Sequence, residues 1–151
     1  MEMRFEHLFD ISLRVGQPQD VGALREGQRI IAPVLEGKFS GPRLKGEVLP
    51  GGADWLVLNQ DVARLDVRIT LRTEDGALIY MTYGGVLRPF SHVMAHMVRG
   101  ESPPTGSYYW YVTPRFETGN QNYAWLNDIV AVGVGAIGPG GTVDYSVYAM
   151  T

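Results

Sequence analysis

Residues 63–72, ARLDVRITLR, alternate without a fault. Leu65, Val67, Ile69 and Leu71 fall in one phase, and Arg64, Asp66, Arg68, Thr70 and Arg72 in the other, which is the period of two that a β-strand imposes. The turn Glu74-Asp75-Gly76 leads into residues 77–83, a second strand expected to pair back antiparallel. Earlier, Phe5–Val15 is mostly period-two and stops at Gly16-Gln-Pro-Gln-Asp20. Residues 27–34 read as a short strand or sheet edge, residues 37–42 as a turn-rich connector, and residues 44–49 as a strand ending at Pro50-Gly51-Gly52.

One segment has a helical pattern. In residues 91–99, SHVMAHMVR, Val93, Met94 and Met97 share a side, Ser91 can cap the N-terminus, and Gly100 stands where a helix end favours a left-handed residue. Beyond Pro103-Pro104, residues 108–113 form an aromatic strand, residues 123–134 lead into another, and Gly138-Pro-Gly-Gly141 turns the chain into a last strand over residues 142–149. Short strands separated by turns at this spacing predict a mainly β fold: one domain over residues 1–151, closed or nearly closed as a small antiparallel β-barrel with one short helix. The 19 glycines and 9 prolines are scattered rather than periodic, as a chain that turns often requires.

Composition narrows the function classes. There is no cysteine, so neither disulfides nor thiolate metal sites support the fold, and a cytoplasmic location is expected. The N-terminus lacks the apolar run of a signal peptide, and no segment reaches the roughly 18 apolar residues that span a bilayer. A net charge of -3 argues against affinity built on phosphate neutralisation, so nucleic acid is not an expected partner. Gly133-Val-Gly-Ala-Ile-Gly138 has dinucleotide-fingerprint spacing but lacks the following helix and acidic residue. His92 and His96 lie four apart on the helix without a clear third ligand, so no metal or other cofactor is assigned. The nucleophile elbow of the usual serine hydrolases is missing too.

Two groups of residues could carry chemistry. If the apolar phase of residues 63–72 packs in the core, its charged phase is a solvated face; if the polar phase lines the barrel, Asp66 and Arg68 become a partly buried pair able to orient a ligand or move a proton. Arg115 and Glu117, in Pro114-Arg-Phe-Glu-Thr118, share a face either as an ion pair or as an anionic-group anchor beside a proton-handling carboxylate. Tyr108, Tyr109, Tyr111, Tyr123 and Trp125 are candidates for an aromatic wall. Pro114 is expected at a strand exit, turning Arg115 toward the mouth of the cavity that Asp66 also faces. Aromatic residues in both phases near residues 108–112 suggest an outer face covered by a second copy, hence a homo-oligomer, in the simplest case a dimer.

The blocks GPRLKGEVLPGGADW (residues 41–55), ARLDVR (63–68), TLRT (70–73), DGALIY (75–80), Tyr108-Tyr109, TPRFET (113–118) and YAWLN (123–127) resemble the DUF3237 family, also called UPF0311. They stand in the family's order over nearly the whole chain. The resemblance implies an allene oxide cyclase-like, calycin-like barrel with a cavity open at one end, and brings no defined reaction. Its motif positions here are Arg43, Glu47, Asp54, Trp55, Asp66, Arg68, Tyr80, Arg115, Glu117, Tyr123, Trp125 and Asn127. Ile69, where the family often has an aromatic residue, and Gly84-Gly85, where it commonly has a bulkier one, imply a roomier pocket or a different substrate.

These readings together predict a cofactor-independent enzyme of lyase, isomerase or cyclase type, acting on a hydrophobic, aromatic or phenolic molecule inside the barrel. One version is a retro-aldol-like loss of a small aldehyde. Asp66, Arg68, Arg115 and Glu117 are the expected catalytic residues, and Arg43, Tyr80, Tyr109, Tyr123, Trp125 and Asn127 the expected substrate contacts. The alternatives are a non-catalytic carrier of an aromatic or lipid-like ligand and a scaffold with a fully packed barrel.

Overall fold

The computed structural model describes residues 1–151 as ten strands, one α-helix and one 3₁₀ helix. In chain order they are β1 (Phe5–Val15), β2 (Gln19–Ala23), β3 (Gln28–Ser40), β4 (Lys45–Val48), β5 (Gly52–Asn59), β6 (Val62–Thr73), β7 (Leu78–Arg88), α1 (Phe90–Val98), β8 (Tyr109–Glu117), the 3₁₀ helix Gln121–Asp128, β9 (Ala131–Ile137) and β10 (Val143–Met150). The strands close as an antiparallel barrel of eight staves. Closure is possible because two staves are interrupted strands. β1 and β2 pair with successive parts of β3, and so do β4 and β5, which both also pair with β6. The ring runs on through β7, β8, β9 and β10, and β10 pairs with β1.

The phases of β6 sort as a one-sided strand requires. Leu65, Val67, Ile69 and Leu71 are buried in the lumen, while Arg64, Asp66, Arg68 and Arg72 are exposed. The β6–β7 hairpin runs from Ala63 opposite Leu87 to Arg72 opposite Leu78, around a turn with Gly76 at φ 89°. Several elements differ from their sequence reading. β3 extends to Ser40 through the segment expected to be a connector. Pro114 lies inside β8 rather than at its exit, and the β8–β9 ladder ends at Val112, two residues before the proline that has no N–H to offer it. Tyr109 and Tyr111 stand exposed on the outer face of β8, their rings 4.7 Å apart.

Helix α1 lies across one mouth of the barrel, with Val93 buried and Met94 and Met97 packed against the core. Its N-cap is not Ser91. Pro89 holds that position, and the capping group comes from Asp61 in the β5–β6 turn. The Asp61 carboxylate accepts from the Ser91 backbone N–H at 2.8 Å and from the Ser91 hydroxyl at 2.6 Å, and the Asp61 carbonyl accepts from the Phe90 N–H at 2.9 Å. Gly100, at φ 70°, ends the helix as expected. No helix is long and apolar enough to cross a membrane.

The two ends of the lumen differ in filling. Toward the 3₁₀ helix, Phe9 meets Phe39 and Phe116 edge-on at centroid distances of 5.6 and 6.0 Å, and Ile69, Leu71, Ile79, Met81 and Leu126 complete a buried plug. Toward α1 the wall carries larger rings backed by small residues. The Trp110 indole lies so close to Gly135 that a Cβ at that position would overlap its ring atoms. Gly135→Ala is therefore expected to cost on the order of 1–3 kcal/mol through overpacking and to weaken the near-ultraviolet circular dichroism of tryptophan. An unchanged melting temperature and spectrum would refute this packing.

Candidate active site

The end of the barrel beneath α1 encloses a cavity of about 380 Å³. Leu13, Val34, Leu56, Leu65, Val67 and Leu87 supply much of its wall, and Phe90, Met94, Met97 and Val98 of α1 cover it. Four polar side chains enter this apolar lining: Asp54, Tyr83, Trp110 and Tyr145. No lysine, arginine or histidine lines it.

Each polar group is placed by strand phase. Asp54 on β5 shares the inward phase with Leu56 and stands opposite Val67 on β6 and Ala32 on β3. Tyr83 comes from the inward phase of β7, Trp110 from that of β8 and Tyr145 from that of β10. The Tyr83 and Tyr145 rings are 5.2 Å apart and steeply inclined. The Trp110 ring lies 5.6 Å from Tyr145, and its indole N–H donates to the Tyr145 hydroxyl oxygen at 3.2 Å. One oxygen of Asp54 accepts from the Asp66 backbone N–H at 3.0 Å.

Electrostatics make Asp54 the unusual member. Burial in the apolar wall raises its pKa to about 6; the Asp66 N–H opposes the rise, and the nearby Asp66 charge adds to it. None of the barrel's ion pairs involves Asp54. Burial, with the neighbouring Tyr145 and Asp54 next in effect, pushes the Tyr83 hydroxyl well above its ordinary value. Burial and Asp54 do the same to Tyr145. The cavity thus holds a carboxyl group that changes protonation near pH 6 beside two phenol hydroxyls that stay protonated. Such a set can move one proton and donate hydrogen bonds to a developing oxyanion.

The expected catalytic residues lie elsewhere. Asp66, Arg68, Arg115 and Glu117 are all exposed on the outer surface, because the inward positions of β6 and β8 belong to Leu65, Val67, Pro114 and Phe116. Asp66 and Arg115 therefore do not face a common cavity. Arg68 lies over the Trp55 ring at 5.7 Å. Arg115, Glu117 and Asn127 do come together, along an open groove of about 1140 Å³ on the outside, where β9 diverges from β8.

The expected substrate contacts also lie outside the cavity. Tyr80 is exposed opposite Glu117, and Tyr109 sits under the Arg88 guanidinium at 4.3 Å. At the plugged end, Arg43 stacks on Trp125 at 3.6 Å and the Tyr123 hydroxyl donates to Asp75 at 2.9 Å. Asn127 exchanges two hydrogen bonds with the backbone of Thr118. His92, on the helix, bonds the Ser107 hydroxyl at 3.0 Å.

The residues that do line the cavity left one usable signal. In Gly52–Asn59 both phases are apolar, so no alternation announces a strand, yet a lone carboxylate at 54 shares a phase with Leu56 and Leu58. Asp54 was visible as a family motif position, though not as a site residue.

The raised pKa of Asp54 carries a stability consequence. Between about pH 4 and 6 the folded chain holds this proton more tightly than the unfolded chain, so the group's contribution falls as pH rises through that window and levels off above it. A shift from 3.8 to about 6 corresponds to a penalty on the order of 3 kcal/mol above pH 6, at 1.36 kcal/mol per unit. Asp54→Asn should be more stable than the wild type by up to that amount at pH 7.5, with the difference shrinking toward zero near pH 4. Denaturant titrations of both proteins at the two pH values test this, and a variant less stable at pH 7.5 would contradict it.

Comparison with known proteins places this barrel among relatives. The family model DUF3237, described as a protein of unknown function, matches residues 3–150. A UPF0311 protein of Rhodopseudomonas palustris is 33% identical over 132 residues, which is 87% of this chain and 86% of the relative. The crystal structure of a conserved protein of unknown function from that organism superposes with a TM-score of 0.89 at 30% identity, covering 100% and 99% of the two chains. A β-barrel like protein of Acinetobacter baumannii gives a TM-score of 0.85 at 32% identity, covering 100% and 98%. An enzyme from Penicillium herquei shares the fold at a TM-score of 0.72 and 21% identity, covering 100% and 96%. With its family model matched almost end to end, the chain belongs to the DUF3237, or UPF0311, family.

Proposed function

We propose that the protein is a cofactor-independent enzyme of the lyase, isomerase or cyclase type that acts on a hydrophobic, aromatic small molecule held in the cavity beneath α1. The observation that carries this reading is Asp54: a carboxyl group with a pKa near 6, facing an apolar cavity with no cation to pair it. A pKa near working pH suits a group that both takes and returns a proton. Tyr83, kept protonated, supplies a hydrogen bond to an oxyanion, and the dry wall strengthens that bond.

A retro-aldol cleavage illustrates the chemistry. The Asp54 carboxylate takes the proton of a β-hydroxyl group, and that oxygen's electrons form the carbonyl of the departing aldehyde as the carbon–carbon bond breaks. The bond's electron pair moves to the remaining ketone as an enolate, whose oxygen accepts from Tyr83. Asp54 then returns its proton to the enolate carbon. Proton shifts within one molecule, as in an isomerase or cyclase, use the same two groups. Shared fold alone does not transfer an activity, so the reading rests on these side chains. The apolar wall, 17 of its 22 residues hydrophobic, also suits a carrier, the second reading.

The aromatic aldol 4-hydroxy-4-phenylbutan-2-one provides a direct assay, since cleavage releases benzaldehyde and acetone. The wild-type rate should rise with pH through about 6 as Asp54 ionises. Asp54→Asn should lower kcat by about 10²–10⁴-fold, and Tyr83→Phe by about 10²–10³-fold. If the aldol binds but is not cleaved, and a panel of enolisable aryl ketones shows no Asp54-dependent proton exchange, the carrier reading replaces this one.

A further inference from the structure

The cavity also constrains the charge of what it receives, an inference that rests on Asp54 facing the ligand as described above. The groups around Asp54 are few. β3 presents Ala32 and β6 presents Val67, with the Asp66 side chain on the far face; β7 presents Tyr83 and β10 presents Tyr145. Across the mouth, α1 contributes only apolar side chains. The sole carboxylate of the lining therefore meets a ligand with no cation to offset it.

Part of the hydrogen-bonding capacity in the cavity is already used. One Asp54 oxygen is occupied by the Asp66 N–H, and the Tyr145 oxygen by the Trp110 N–H. Three groups remain to greet a ligand: the second Asp54 oxygen, an acceptor when ionised, the Tyr83 hydroxyl, which has a proton to give, and the Tyr145 hydroxyl, whose own proton is not used by the bond from Trp110. We infer that this cavity selects an uncharged aromatic molecule that leads with a hydroxyl group, donating to Asp54 and accepting from Tyr83, and that it excludes carboxylates and other anions. A carboxylate would bring a second negative charge into a low-dielectric space beside the first. An ammonium group would attract Asp54, but it carries three N–H donors, and an apolar wall leaves part of its hydration unreplaced.

Four probes of one shape separate these cases: 2-naphthol, its methyl ether, 2-naphthoate and 2-naphthylmethylammonium, titrated calorimetrically into the full chain at pH 7.5. 2-Naphthol should bind at least 10-fold more tightly than the methyl ether, which has lost the donor, and at least 100-fold more tightly than 2-naphthoate. The ammonium should not exceed 2-naphthol. Asp54→Asn supplies the control, because an Asn oxygen can keep the Asp66 N–H and so turn its NH₂ toward the ligand. In that variant 2-naphthoate should gain at least 10-fold while 2-naphthol weakens, a reversal that general loosening of the fold would not produce.

Equal affinity for 2-naphthol and its ether, 2-naphthoate binding that ignores Asp54→Asn, tighter binding of the ammonium, or no binding of any probe would each overturn the inference. The predicted order of affinities without aldol cleavage or proton exchange would instead overturn the catalytic reading and leave this one standing.

Discussion

A barrel of eight staves has an interior just wide enough for its own side chains to fill, and how that space is shared decides the rest of this structure. At one end the space is spent on packing, with Phe9, Phe39 and Phe116 meeting edge to face. At the other, the side chains of β8 lean onto the glycines of β9: Val112 against Gly133, and Trp110 against Gly135. Rings held against the wall leave the lumen open, and α1 roofs what remains without filling it. The helix is carried there by Asp61 in a turn of the barrel itself, so the roof is tied to the staves that line the cavity.

The opening at that end sets the chemistry of Asp54. On an outer phase the same carboxylate would be solvated, as the exposed Asp66 is twelve residues later. Facing inward, it exchanges water for Val67, Leu56 and aromatic rings, and its charged form becomes costly. Only one backbone N–H offsets the cost. An apolar residue of similar volume would remove the penalty, so the carboxylate is not there for stability. Local costs of this kind gather where proteins bind or react.

How much of this was legible in the sequence follows from how each strand is exposed. β6 has one face in the core and one in water, so its alternation, its partner β7 and its turn could all be read from the residues. β5 lies in a stave whose outer phase is also partly covered; Ala53, Trp55 and Val57 alternate with Leu56 and Leu58, and the period of two disappears. The one strand that carries the acid was therefore the one whose pattern said least. Arg68 and Arg115 drew attention because arginines beside carboxylates often anchor ligands. Here both are exposed on the outer surface, Arg68 over the Trp55 ring, the commoner use of such residues. Pro114 misled for a related reason, since a proline is tolerated inside a strand where the neighbouring ladder has already ended.

Several of the residues shared with the family's motifs gather at the packed end of the barrel, and their placement has a physical sense. Arg43 stacks on Trp125, Tyr123 bonds Asp75, and Asn127 holds Thr118 by two hydrogen bonds. These contacts tie the 3₁₀ helix, the β6–β7 turn, the β3–β4 turn and the end of β8 into a cap over the packed end. Asp54 alone among the motif positions lines the other end. A barrel with an unfilled mouth has given up part of its core, and the lost packing must be offset where the lumen is still full. The 3₁₀ helix closes the packed end, while the opposite end stays hollow and holds a carboxyl group with no ion-pair partner. Sequence resemblance in such a domain therefore marks the clamp as strongly as the chemistry, and only the strand phase tells the two apart.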